Sequence, residues 1–395
     1  MKCWLNKLLL ILLVFCCLTL SGCWDRIEIN DLAIVSGAAI DLGNKKNEIT
    51  LSVQILSPRA LSGSQGGSSY STKMAIVRSA QGINIADAMS KLQKKLSRKI
   101  FLGHCKVYIF GERLAKAGIS DMTDFISRHP ETRNRAQIYV SKGDASSILQ
   151  VIPPLERYSS EVLRELAKQN VGESVTLVDL RQMMQGQVHT CLLPMVAILP
   201  PQGQVKKEET IPYLVGTAVF DQGKMVGSLS GRITRGVMWL RDEIQRSTVT
   251  VKLKNAKGFI TVSPIREHSR LEPRIENGKW IMKVQVVSEG DIVENGTNLN
   301  LSDPKWVAEI EEALRKDIET RIQLALDTLQ KRMKVDIIQF GPTFYQKYPQ
   351  QFNQVKDRWQ EQFAEIEVAL EVSTIVRRAG LAAGPAGIPQ SKVKE

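Results

Sequence analysis

The sequence predicts an α+β protein of several domains, in which mixed β-sheets are each packed against helices. Three observations carry this. Apolar runs of strand length alternate with helical patterns from residue 31 to residue 199. A Pro-, Gly- and charge-rich break follows, opening on Pro200-Pro201-Gln202-Gly203. An apolar stripe stepping mostly by four then runs from Val307 to Met333, long for a helix of a globular domain. The implied organisation is an N-terminal α/β domain over 23–200, a linker at 201–210, a strand-rich middle domain over 211–300, and a C-terminal α+β domain over 301–378 with a long helix at 304–333. The tail 379–395, LAAGPAGIPQSKVKE after Arg378-Ala379-Gly380, reads as disordered.

In order along the chain, LAIVSGAAIDL and EITLSVQIL read as two strands around the turn residues Gly43 to Asn47. Residues 58–72, with GSQGGSSYST, form a surface loop; the strand and GK[ST] context of a phosphate-binding loop is missing. MAIVRSA (74–80) is a strand. Asn84 to Lys99 reads as an amphipathic helix, with Ile85, Met89, Leu92 and Leu96 on one side and Lys91, Lys94, Lys95, Arg98 and Lys99 on another. CKVYIF, short helices at 112–118 and 121–128, RAQIYV, and helices at 144–151, 159–169 and 176–185 follow, closed by a strand at 191–199. Beyond the break, LVGTAVF and KMVGSLS flank Asp221-Gln222-Gly223 as a hairpin. A helix at 234–243 precedes the strand-like TVTVKL, GFITVSP and WIMKVQVV, which read as members of an antiparallel sheet. Asp303-Pro304 is an N-cap followed by proline at the first helical position. VDIIQF (335–340) then reads as a strand, 350–362 as a helix, and EIEVALEVSTIVRR as an outer strand with alternating glutamates.

Chemistry is scarce in this pattern. The chain holds 53 Lys+Arg against 41 Asp+Glu, a formal charge of +12, with both signs spread along it. Four histidines (His104, His129, His189, His268) lie near no metal-spaced partner, and HExxH, CxxC, GxSxG and nucleotide-binding glycine motifs are missing. No catalytic residue, metal or cofactor is assigned. His104 beside Cys105 reads as structural, since neighbours on a strand point to opposite faces. No apolar pocket carboxylate stands out. Cys105 and Cys191, in apolar surroundings, read as separate buried thiols rather than a disulfide.

The one site with assignable chemistry is near the start. Lys2 and Lys7 precede the apolar run Leu8 to Leu20, too short to span a bilayer comfortably, and the chain turns polar at Trp24-Asp25-Arg26. Leu20-Ser21-Gly22-Cys23 resembles the bacterial lipobox, which makes residues 1–22 a cleaved lipoprotein signal peptide and Cys23 the S-diacylglycerol and N-acyl cysteine (a palmitate-type anchor). The basic residues Lys91, Lys94, Lys95, Arg98 and Lys99 are then either a solvated face or a second, electrostatic contact with an anionic membrane. Export and the lack of interleaved aromatics exclude nucleic acid.

GCWDRIEINDLAIVSGAAID, FLGHCKVYIFGERLAKAGI, RAQIYVSKGDASSIL, GTAVFDQGKMVGSLSG, FGPTFYQKYPQQFNQVKDRW and EVSTIVRRAGL, in this order, resemble the spore germination lipoproteins of the Ger(x)C family, the C subunits of GerA-type germinant receptors. Family members commonly carry an acidic residue where this chain has Ile233 and a tryptophan where it has Phe352. The resemblance implies a multidomain α/β, non-enzymatic assembly or signalling subunit of a nutrient germinant receptor. Cys23 would tether it to the outer face of the inner spore membrane, beside two membrane-embedded partners, the A and B subunits. An extracytoplasmic solute-binding lipoprotein that holds the germinant itself, and an exported hydrolase, are the competing readings.

Overall fold

The computed structural model describes residues 4–7, 28–45, 47–57, 74–169, 172–200, 209–244, 248–254, 256–380, 384, 385 and 387–394. Cys23, the loop at 58–72 and most of the 201–210 linker lie outside them.

Nine strands form the first sheet: β1 (Leu32–Leu42), β2 (Ile49–Leu56), β3 (Ala75–Gly82), β4 (Lys99–Phe101), β5 (Val107–Gly111), β6 (Gln137–Ser141), β7 (Thr190–Ile198), β8 (Pro212–Asp221) and β9 (Lys224–Ser230). Their order is β3-β2-β1-β5-β6-β7-β8-β9, with β4 also against β1. The centre, β1-β5-β6-β7, is parallel, and antiparallel strands flank it on both sides. Central strands are covered on both faces, which is why β5 is buried along its whole length and reads as an unbroken apolar run. The two faces alternate residue by residue. Ala38, Ile40, Tyr108, Phe110, Ile138 and Val140 belong to the larger core with α1 (Ile85–Gln93), α2 (Glu112–Ala117), α3 (Ser120–Arg128) and α6 (Leu177–Gln185). Ala39, Ile109 and Tyr139 pack instead with Ile148, Leu149 and Leu163 of α4 (Ala145–Gln150) and α5 (Ser159–Gln169).

Helix α1 stops at Gln93, six residues before the expected end. Its N-cap Asn84 accepts from Asp87 N–H, and Ile85, Ala88 and Leu92 are buried. Continuing the helix would stack basic residues one turn apart. Instead Gln93 Nε2 donates to the Arg98 carbonyl (2.8 Å) and its Oε1 accepts from Ile100 N–H (2.9 Å), turning the chain into β4 beside β1. The helix at 145 begins after Asp144, as the sequence suggests, but Asp144 makes no side-chain cap. Asp41 of β1 caps it, accepting from Ala145 and Ser146 N–H at 2.7 and 2.9 Å.

The second sheet runs β10 (Val249–Val251), β11 (Ile260–Glu276), β12 (Lys279–Asn295), β13 (Glu367–Arg378). β11 and β12 form one long hairpin whose turn residues Asn277 and Gly278 have φ of 49° and 79°, in the left-handed region that such turns demand. β13 lies parallel to β12, so the sheet is mixed. Strands are thus shared out differently from the sequence expectation. The 212–230 hairpin, expected in the strand-rich middle part, extends the first sheet through the β7–β8 pairing, and the C-terminal β13 completes the second. Lys279–Glu367 (3.0 Å) and Lys283–Glu371 (2.8 Å) pair across the β12–β13 edge, which accounts for the alternating glutamates.

Helix α8 (Pro304–Leu326) buries Trp306, Ile310, Leu314, Ile318 and Ile322, and continues as a π-helical turn, Asp327–Met333, ended by Lys334 in the left-handed conformation. Against it packs α7 (Gly231–Leu240), where Gly236 allows backbone contact: a Cβ there would lie 2.2 Å from the Arg321 carbonyl oxygen. VDIIQF is not a strand. It is a loop leading into α9 (Phe340–Lys347), and the expected helix at 350–362 is divided into α10 (Pro349–Val355) and α11 (Trp359–Glu365). Aromatics join these short helices to β12: Trp280 stacks on Phe344 at 4.6 Å and Phe352 on Trp359 at 4.9 Å. The tail, expected to be disordered, returns at its end. Lys394 N–H donates to the Asn298 carbonyl (2.7 Å) and Asn300 N–H to the Lys394 carbonyl (2.9 Å).

Candidate functional site

Two places gather polar side chains that the local folds do not use up. The first is where the chain enters the first sheet. Parallel pairing puts Leu32 beside Lys99 and Gly37 beside Val107, which in turn faces Gln137, so the N-terminal ends of β1, β4, β5 and β6 share one end of the sheet. The sequence-predicted basic residues lie here, on the last turn of α1 and the approach to β4. Lys91, Lys94, Lys95 and Lys99 are exposed and Arg98 is half-buried. Lys91 is held by Asp87 (2.7 Å) and Lys95 donates to the Ser79 carbonyl (3.1 Å). At the same end, Lys106, Arg133, Arg135, Arg164 and Lys168 line a pocket of about 330 Å³ floored by Ala136 and Ala167. Burial and the fields of Arg164 and Arg133 push the Lys106 pKa down, and burial with Lys106, Arg133 and Arg164 does the same to His104. His104 and Cys105 lie in the turn between β4 and β5, not on a strand.

The second place is a cavity of about 760 Å³ between α6, β7, the end of α7 and the 336–346 segment. Asp336, fully buried, organises one wall. Its carboxylate accepts from Phe340 N–H (3.1 Å), Gly341 N–H (2.6 Å) and Trp359 Nε1–H (3.0 Å), so it caps α9 and bends the segment out of extended conformation. Burial raises its pKa; the three N–H donors act in the opposite sense. Opposite, Arg241 forks onto Glu243 (2.7 and 2.8 Å) and donates to the Ile337 carbonyl (2.7 Å). Glu173 completes the group. Burial and the neighbouring Glu243 carboxylate push its pKa up to about 8, and its Oε1 has no hydrogen-bond partner among the described residues. The sequence reading found no carboxylate of this kind. Glu173, Arg241, Glu243 and Asp336 are far apart in sequence, and no local pattern marks them as neighbours.

Among the described residues no three His, Cys, Asp or Glu side chains gather as metal ligands. Cys105 and Cys191 are both free and buried, and burial pushes each thiol up to about 12. His189 Nδ1 contacts the Met184 carbonyl (3.0 Å) and His268 Nδ1 contacts Asp242 (3.0 Å). No helix among the described residues is long and apolar enough to cross a membrane.

Two family models cover most of the chain. "Spore germination protein N-terminal domain" matches residues 25–198, and "Spore germination B3/ GerAC like, C-terminal" matches residues 215–380. The chain belongs to the spore germination GerAC family. Spore germination protein KC of Bacillus subtilis (strain 168) is 30% identical over 96% of this chain and 97% of its own length. Spore germination protein B3 of the same organism is 24% identical over 91% of this chain and 94% of its own. The crystal structure of the GerBC protein shares the fold, with a TM-score of 0.59 and 20% identity over 86% of this chain and 97% of that one. The Ger(x)C resemblance and the α+β class with two helix-covered sheets are thereby borne out.

Proposed function

We propose that this chain is the lipid-anchored C subunit of a nutrient germinant receptor, a non-enzymatic component that assembles with two membrane-embedded subunits at the outer face of the inner spore membrane. The carrying observation is that both germination family models match in order, starting two residues after Cys23. An acyl anchor there confines a broad folded body to the membrane surface and raises its effective concentration beside membrane partners. Cys23→Ala is expected to abolish lipid labelling and release the chain from the membrane fraction. A labelled, membrane-bound variant would sink the anchor. Deleting the gene should impair germination with at least one nutrient of a panel, and a complex purified through the membrane subunits should contain this chain.

The Glu173 cavity favours a second reading, in which the chain holds a germinant itself. The unpartnered Glu173 Oε1 lines a space large enough for a small organic molecule and offers it a polar contact. Saturable heat on titrating germinants into the purified chain, lost in Glu173→Gln, would support it; a featureless titration would leave the assembly role alone.

A further inference from the structure

The pocket of Lys106, Arg133, Arg135, Arg164 and Lys168 is separate from the Glu173 cavity and is not explained by folding. Its cations come from three places: the residue just before β5, the loop before β6, and α5. Holding like charges together costs energy: burial first, and then the fields of Arg164 and Arg133, push the Lys106 pKa down. Local acids offset only part of it. Arg164 pairs with Glu161 (3.4 Å) and Glu165, and Lys168 with Glu165 (3.0 Å), all along α5. Arg133 donates to the Gly103 carbonyl, and Glu131 is engaged by Leu102 N–H (2.8 Å). Among the described residues no carboxylate pairs with Lys106, Arg133 or Arg135. The pocket therefore presents unneutralised cations around Ala136 and Ala167, a surface suited to a phosphate.

Position names the source of that phosphate. The chain reaches the first sheet at this end, through Ile29–Asp31 into β1. Glu28 lies five residues along the chain from Cys23, so the two are at most about 18 Å apart. The exposed Lys94, Lys95 and Lys99 crowd the same end, Lys99 directly beside Leu32. We infer that this pocket is a binding site for the phosphate headgroup of an anionic phospholipid, and that it seats the basic end of the first sheet on the membrane. The inference rests on the Cys23 anchor for its geometry. It goes beyond the anchor in giving the tethered body a fixed orientation, with the opposite end of the sheet turned away from the bilayer.

The test uses the full chain, lipidated at Cys23, reconstituted on vesicles of phosphatidylcholine alone or mixed with phosphatidylglycerol. Amine acylation followed by mass spectrometry reads the accessibility of each lysine. Lys106 and Lys168 are expected to become about fivefold less reactive on the anionic vesicles, the factor a basic residue near such a surface typically contributes. Lys279 and Lys331 should not change, and high salt should remove the protection. Arg135→Gln with Lys168→Gln, both on exposed side chains, should abolish protection of Lys106 while the chain stays vesicle-bound. Equal reactivity on the two vesicle types would overturn the inference. Equal protection by inorganic phosphate on neutral vesicles would assign the pocket to a soluble anion instead. Protection that arises only with the membrane subunits present would assign it to an acidic protein surface. Failure of the anchor reads out separately, as chain that does not float with neutral vesicles.

Discussion

Glu173→Gln should make the protein more stable, and increasingly so as pH rises. Glu173 has its pKa raised from 4.5 to about 8, with burial the largest cause and the Glu243 carboxylate the next. A raised carboxyl pKa means that the folded chain binds a proton the unfolded chain has released. Between about 4.5 and about 8 the unfolded state therefore binds fewer protons, and stability falls as pH increases, by up to about 1.4 kcal/mol per pH unit. Below that window the carboxyl is protonated in both states and adds no pH dependence, and above it the full charge is buried. Glutamine keeps the volume and stays uncharged at every pH, while the Arg241–Glu243 fork (2.7 and 2.8 Å) stays intact. Allowing for imperfect amide geometry, the gain at pH 8 is about 2 kcal/mol, a rise of about 2–3 °C in Tm. Scanning calorimetry from pH 5 to pH 9 measures it. Wild type and variant should coincide near pH 5 and diverge towards pH 8. Glu267, also raised to about 8 by burial, contributes a slope of the same sign, so Glu267→Gln belongs beside it in the series. If Glu173→Gln runs parallel to wild type at every pH, or is the less stable chain at pH 8, the assignment of a protonated buried carboxyl is wrong.

Asp336→Ala would orphan the N–H groups of Phe340, Gly341 and Trp359, at a cost of about 3–5 kcal/mol in denaturant unfolding; a loss under 1 kcal/mol would show that water replaces the carboxylate. Asp41→Ala uncaps α4 from the neighbouring strand and should cost about 1–2 kcal/mol, where Asp144→Ala, which removes no cap, should cost far less. Gly236→Ala drives a Cβ into the Arg321 carbonyl and should destabilise by about 1–3 kcal/mol through separation of α7 from α8, read as a fall in Tm. Cys105 and Cys191 should resist iodoacetamide at pH 8 in the native chain and alkylate together on unfolding, since burial pushes both thiols up to about 12; rapid native labelling would contradict their burial.

What the chain declares locally it declares well. The α8 stripe, the Asp303-Pro304 start, the Asn277-Gly278 hairpin and the unbroken apolar run of β5 are set by spacing and turn chemistry within one segment, and each is visible as letters. Features that depend on a distant partner were not legible. The helix beginning at Asn84 ends early because Gln93 finds Arg98 and Ile100, and VDIIQF leaves the extended state because Asp336 finds the start of α9 and Trp359. Strand identity was readable from alternation, but strand neighbours were not, so the 212–230 hairpin and β13 each joined a different sheet from the one expected. Both candidate sites follow the same rule. The basic stretch 91–99 announces itself by composition, whereas Lys106, Arg133, Arg135 and Lys168, or Glu173, Arg241 and Asp336, become neighbours only when the sheets form. Backbone periodicity and turn chemistry are properties of a segment, and the sequence determines them alone. A pocket is a coincidence of side chains from several segments, and only the tertiary structure decides it.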